Sequence, residues 1–334
     1  MSSLWPVLLV SLITFIAQLQ AQGGGAGRMI SSSRLQLPPT TKGGLTKGTS
    51  AANHDLLLQN TNSLIGTADL VVAKDGSGDY RTITKALTAS KKMRRGSTNR
   101  FVIYVKTGIY KETVNITKPM KNLMLVGDGM NNTIVTGSKS VDKVTSTFWT
   151  ATFVVTGDGF IAQNMTFENT AGPHKGQAVA LRSGSDLSVF YRCSFKGYQD
   201  TLYAHSGHQF YRECDIYGTI DFIFGDATAV FQNCNIFVRQ PMVGQGTVVT
   251  AQGREDSASH TAGWLKWDVK TNFRTLYYGE YMNTGAGART GGRVKWPGFY
   301  VITAASEAGN FTVEKFLNGS SWLPATGVPF TPGI

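Results

Sequence analysis

The feature that most limits how this chain can fold is a repeat of about 20 to 21 residues. Phe190-Tyr-Arg-Cys193-Ser-Phe195 returns as Phe210-Tyr-Arg-Glu-Cys214-Asp-Ile216, then more faintly as Phe231-Gln-Asn-Cys234-Asn-Ile236. Apolar residues alternate within each copy, which is the period of a strand. A strand-bearing unit repeated at this length implies coils stacked into a parallel β-helix, an all-β solenoid in which each coil rests on its neighbours. Equivalent positions on successive coils then lie about 4.8 Å apart. Strands are expected at Leu70–Ala73, Phe101–Val105, Asn122–Val126, Thr133–Val135, Thr152–Val155, Phe160–Ile161, Ala178–Leu181 and Leu187–Phe190. The helical spacing of Ile83, Ala86 and Leu87 predicts a short N-terminal helix over Thr82–Met93 that caps the open end. A second helix is expected over Ala304–Leu317.

The repeat carries chemistry with it. Asp200 and Asp221 each follow a cysteine of the repeat, Cys193 and Cys214, at the same interval. Stacking therefore sets one carboxyl group above the other. Two carboxylates this close cannot both ionise cheaply, so one pKa rises and the other falls. That split provides an ionised nucleophile beside a protonated acid, the arrangement that covalent ester cleavage needs. Gln177 and Gln199 are also about one coil apart, and their amide N–H groups can receive the oxyanion of a tetrahedral intermediate. A single Asp on an alternating strand would read as solvent-facing, and a Gln ladder as a tie between coils. The coincidence of the two repeats favours chemistry. Tyr198, Tyr203, Phe222 and Phe224 bracket the acids, and Tyr198 and Phe222 are expected to contact a sugar.

Rival machinery is missing: there is no G-x-S-x-G elbow, H-E-x-x-H, C-x-x-C or phosphate loop. The five histidines, at 54, 174, 205, 208 and 260, have no metal-ligand spacing, so neither a metal nor another cofactor is expected.

Residues 1–21 read as a secretory signal. The apolar run Val7–Ala17 is too short to span a bilayer, and the small Ala21 follows. Residues 22–68 read as a linker or pro-segment remnant, and 69–334 as the solenoid domain. Sequons at Asn115, Asn131, Asn164, Asn310 and Asn318 fit a secreted glycoprotein. In that setting Cys193–Cys214, one coil apart, is the favoured disulfide, with Cys234 left over. The formal charge of +11 points to an acidic partner. A leader argues against nucleic acid, so the basic run Lys91-Lys92-Met93-Arg94-Arg95 reads as a solvated helix end and the partner as an acidic polysaccharide.

Gly108-Ile-Tyr-Lys-Glu112, Gln177-Ala-Val-Ala-Leu-Arg182, Tyr198-Gln-Asp-Thr-Leu-Tyr203 and Asp221-Phe-Ile-Phe-Gly225, in this order and at these separations, resemble the signature segments of plant pectin methylesterases. The likeness runs from about Leu70 to Phe330. It implies a right-handed parallel β-helix with Asp221 as nucleophile and Asp200 as acid, then base. Gln199 and Gln177 would stabilise the transition state and hold substrate, and Thr147 matches a substrate-binding threonine. It further implies a monomer secreted to the cell wall, no membrane attachment in the mature form, pectin as substrate and a proteinaceous pectinesterase inhibitor as a partner.

One signature is absent. The family's Leu-Gly-Arg-Pro-Trp stretch has no counterpart here: Gln252-Gly-Arg254-Glu-Asp-Ser-Ala-Ser-His260 runs straight into Thr261-Ala-Gly-Trp264. About two coils are missing near residues 260–261, and the usual partner of Cys234 would lie in the lost stretch. The expected function is hydrolysis of methyl esters in homogalacturonan. The alternatives are a catalytically impaired pectin-binding paralogue or truncated variant, and a glycoside hydrolase, which would release reducing ends instead of methanol. The Gln pair argues against the last, since an oxyanion needs donors and an oxocarbenium ion does not.

Overall fold

The computed structural model describes residues 14–21, 65–251, 277–284 and 288–334. Every strand pairing among them is parallel. Three faces wind around one core. The first stacks Leu70–Val72, Phe101–Val105, Leu123–Gly127, Ile161–Gln163, Ser188–Tyr191 and His208–Arg212, and the second stacks Gly108–Lys111, Thr133–Gly137, Thr166–Asn169, Ser194–Lys196 and Asp215–Gly218. The long strand Thr228–Val238 joins these two, pairing with His208–Arg212 at one end and Asp215–Gly218 at the other. The third face, which carries the chemistry, stacks Val114–Ile116, Phe153–Val155, Leu181–Ser183, Leu202–Ala204, Ile223–Phe224 and Thr250–Ala251. The parallel β-helix expected from the repeat is the fold.

Inward residues stack on their own equivalents. The rings of Phe190, Tyr211 and Phe231 lie nearly parallel at 4.9 and 4.4 Å, which is the coil spacing expressed in side chains. Cys193, Cys214 and Cys234 form a second buried ladder beside them. The expected Cys193–Cys214 bridge is not formed: all three are free thiols. Each sulfhydryl instead donates to a carbonyl oxygen of the preceding coil: Cys193 to Ala162 (3.4 Å), Cys214 to Phe190 (3.2 Å) and Cys234 to Tyr211 (3.5 Å). Spacing alone permitted the bridge, but backbone acceptors satisfy the thiols. Cys234 is then the third rung of a regular ladder, with no anomaly left to explain.

The capping helix runs from Ile83 to Arg94, and the Thr82 hydroxyl caps it by accepting from Lys85 N. Most expected bounds shift by one or two residues, and two differ by more. Strand structure begins at Leu181, not Ala178: Ala178 and Ala180 already bond to the next coil, but a bend at Ala180 interrupts the ladder. The expected helix over 304–317 is broken into Ala305–Ala308 and Val313–Leu317 by a 3₁₀ turn, with Thr312 in an extended conformation starting the second piece as its N-cap. Val313, Leu317, Leu323 and Val328 pack on outward residues of the first face, such as Val189, Phe210 and Val230. Ile65 and Ala68, the end of the expected linker, join this cluster; residues 22–64 lie outside those described. Within the segment read as a leader, Thr14–Ala21 pairs along the free side of Thr228–Val238. No helix among the described residues is long and apolar enough to cross a membrane.

Two kinds of corner recur. Between the first and second faces, Asn164, Arg192, Glu213 and Asn233 each take a left-handed conformation, with φ of 57°, 51°, 53° and 55°. Ahead of the third face, Asp200 and Asp221 do the same at 62° and 49°. Outside glycine, that conformation costs about 1–2 kcal/mol, least for Asn and Asp.

Candidate active site

The acids come together because two coils are in register. Leu202 pairs with Ile223 and Tyr203 with Phe224, while Asp200 N donates to Ile220 O at 3.0 Å and Leu202 N to Phe222 O at 2.9 Å. Asp200 and Asp221, each two residues ahead of a paired leucine or isoleucine, thus occupy equivalent corners one coil apart. Asp200 is buried and Asp221 half-buried. Thr201, fully buried behind them, donates through Oγ1 to Tyr217 O at 2.9 Å and fixes the corner. Gly225 closes the second coil: at φ 125° a Cβ there would lie 1.9 Å from Ala204 O, so only glycine lets the backbones approach.

Gln177 and Gln199 stack as well. Ala178 N donates to Gln199 O at 3.1 Å, which in a parallel ladder makes Asp200 the partner of Ala178 and Gln199 that of Gln177. Both side chains are half-buried, and among the described residues neither amide has a hydrogen-bond partner. They are donors in waiting. Thr147 opens a 3₁₀ turn, Thr147–Trp149, tied to the same coil: Thr150 Oγ1 donates to Thr147 O (2.8 Å) and accepts from Val179 N (3.1 Å), two residues beyond Gln177. Tyr198 is half-buried, with the Arg239 guanidinium 4.7 Å above its ring.

Phe222 is not at the surface. It is fully buried in the core, so the expected sugar contact is corrected. The outward rings on these coils are Tyr203 and Phe224, stacked at 4.2 Å. Parity holds from Leu202 and Ile223 onward, which point inward with Tyr203 and Phe224 turned out, but it breaks at the corner, where Phe222 and its neighbour Ile223 are both buried.

Sequence reasoning passed over Arg182, which precedes Tyr203 on the adjacent coil in the same row. It is 5% exposed, has no carboxylate partner among the described residues, and lies 3.4 Å over the Phe148 ring. Burial lowers its pKa, with Tyr203 opposing. His205 packs edge-on against Tyr203 and Phe148; burial and, second, the Arg182 charge lower its pKa below the ordinary histidine value, which favours the neutral ring. The spacing of Arg182, Tyr203 and Phe224, one coil each, was the available signal. Among the described residues no group of three or more His, Cys, Asp or Glu could hold a metal. Arg254 and Trp264 lie outside the described residues.

Comparison with known proteins adds likeness in sequence and fold. A family model described as Pectinesterase matches residues 69–262 and 256–320. The chain is 51% identical to "Probable pectinesterase/pectinesterase inhibitor 36" of Arabidopsis thaliana over 83% of its own length and 63% of the relative's. It is 49% identical to "Pectinesterase 2" of Citrus sinensis over 80% of its length and 61% of the relative's. The solved pectin methylesterase from carrot superposes with a TM-score of 0.74 at 44% identity, covering 80% of this chain and 98% of that one. The chain spans about 60% of the length of these curated relatives.

Proposed function

Because this chain belongs to the pectinesterase family, we propose that it is a carboxylic-ester hydrolase releasing methanol from methyl-esterified homogalacturonan. The Asp221 carboxylate attacks the ester carbonyl, and the negative charge that moves to oxygen meets the amide N–H groups of Gln177 and Gln199. Collapse breaks the bond to the methoxy oxygen, which leaves as methanol with a proton from Asp200. Asp200, now a carboxylate, takes a proton from water. The hydroxide equivalent attacks the acyl-enzyme, frees the galacturonate carboxyl and regenerates Asp221. No cofactor enters this balance. The observation that carries the reading is the stacked acid pair flanked by two unengaged amides. Methanol release from esterified pectin, measured for the full chain and for Asp221→Asn, tests it: equal release by both would sink it.

A second reading, an impaired pectin-binding variant, is favoured by the alignments. The alignment to the first Arabidopsis relative is 327 residues long yet covers 83% of a 334-residue chain, roughly 277 residues. The excess, about 50 residues, is about two coils. Inserting the corresponding stretch of a relative after His260 decides between the readings. Activity that appears only on insertion supports the impaired variant, and undiminished activity without it refutes that variant.

On the first reading the protein acts outside the cell, as a monomer, under control of a proteinaceous inhibitor. The apolar leader and the sequons support secretion, and Asn115 and Asn131 are exposed. The relatives whose names join pectinesterase to pectinesterase inhibitor support that partner.

A further inference from the structure

Trp149 is 67% exposed, an unusual position for the largest apolar ring. It is not loosely held. Its ring stands edge-on against Phe148 at 4.8 Å and 80°, and Phe148 in turn rests on the buried Arg182 guanidinium. The loop before it is fastened at both ends. The Asn169 amide donates to Lys139 O (2.8 Å) and Val179 O (3.0 Å), Val141 N donates to Gln177 O (2.9 Å), and one Asp142 carboxylate oxygen accepts from Val144 N (2.9 Å) and Thr145 N (2.7 Å). The loop and the ring border an open, shallow concavity of about 380 Å³ lined by Lys139, Ser140, Asp142, Thr145 and Trp149. That is within the size range of small-molecule sites.

Position matters as much as shape. Phe224 stacks on Tyr203, Arg182 follows in the same row, Phe148 covers Arg182, and Trp149 adjoins Phe148. The row therefore runs without a break from the coil of Asp221 to the concavity. Trp149 leads into Phe153–Val155, three pairings away from Ile223–Phe224, or about 14 Å along the axis at the coil spacing. A single sugar at the acids does not reach it, whereas an oligomer does.

We propose that Trp149 and Lys139 form a distal subsite for a uronate residue of an oligomeric substrate, several sugars from the reacting ester. The exposed indole face takes the apolar face of the sugar ring. The Lys139 ammonium takes its free carboxylate, and Ser140 and Thr145 offer hydroxyls to the sugar hydroxyls. Asp142 repels a second carboxylate and accepts a hydroxyl, so the uronate is oriented with its acid edge toward Lys139. The subsite rests on the esterase reading for the identity of the polymer, but not for its existence.

The test uses the full chain, Trp149→Ala and Lys139→Ala, titrated with de-esterified hexagalacturonate and with neutral maltohexaose and followed by isothermal titration calorimetry. The wild type should bind hexagalacturonate, and Trp149→Ala should bind it about tenfold more weakly. Lys139→Ala should lose the preference for the acidic hexamer. Both side chains are exposed, so melting temperatures should not move. Wild-type affinity in Trp149→Ala, or equal affinity of the wild type for maltohexaose, overturns the subsite. Methanol release on the same preparations keeps the two questions apart: no release with intact Trp149-dependent binding sinks the esterase and leaves the subsite, and release with Trp149-independent binding does the reverse.

Discussion

Two corners of this solenoid share a backbone and differ in charge. At the corner between the first and second faces, coil after coil sets a left-handed residue over its equivalent, and the charges that meet are opposite. Glu213 accepts from Arg192 Nε at 3.0 Å and from Arg212 Nε at 3.2 Å, while Arg212 also donates to Gln232 Oε1 at 2.7 Å. Gln232 then clamps the C-terminal tail, donating to Thr331 O and accepting from Thr331 N. At the corner before the third face the same conformation stacks acid on acid. The first ladder joins opposite charges, and the second stacks carboxyl on carboxyl. A repeat fold provides equivalent positions at no extra design cost, and what occupies them separates scaffold from site.

The largest effect that would break this contrast is at Asp221. Asp221→Asn should reduce methanol release at least a thousandfold, because an amide cannot form the acyl-enzyme. Asn accepts the left-handed conformation and keeps the side chain's shape, so the chain should still fold. Loss of both activity and stability would make Asp221 a scaffold residue and erase the distinction.

The thiol ladder comes next. Burial pushes the Cys214 and Cys234 thiols well above the ordinary range, so little thiolate exists and no reagent reaches it. Native protein should resist alkylation by orders of magnitude, and under denaturant all three cysteines should react without prior reduction. A pair that reacts only after reduction would restore the disulfide.

Gly225 should show the third effect. Gly225→Ala places a Cβ against Ala204 O and strains φ, which should cost about 2–4 kcal/mol in denaturant unfolding. A cost under about 1 kcal/mol would mean that the coils part easily beside the acids.

Much of this was legible beforehand. The repeat gave the parallel coils because equal spacing in sequence becomes vertical stacking, and so it also brought Asp200 over Asp221 and Gln177 over Gln199. What it could not give was which side of the wall a ring occupies at a corner, where alternation is interrupted: hence Phe222, read as a platform and found in the core. Nor did it give the state of the cysteines, since the spacing that permits a bridge equally permits bonds to carbonyls. Arg182 was hidden for another reason. A basic residue on a strand suggests an exposed face, and only packing against Phe148 shows the charge to be buried.

The smallest effect tests the scaffold corner itself. Glu213 and Arg192 side chains are 30% and 25% exposed, so water screens their attraction and the pair contributes on the order of 0.2–1 kcal/mol. Glu213→Asn gives up that attraction but puts at position 213 the residue found at the equivalent positions 164 and 233, the one best suited to left-handed backbone. The two changes oppose each other, so net stability should move by less than about 1 kcal/mol in denaturant unfolding. Added salt should narrow the gap between variant and wild type, because it weakens only the wild-type pair. A loss above about 2 kcal/mol would show that the opposite charges, not the backbone, hold this corner. The two corners would then be held by different forces, and the left-handed backbone they share would not by itself explain either.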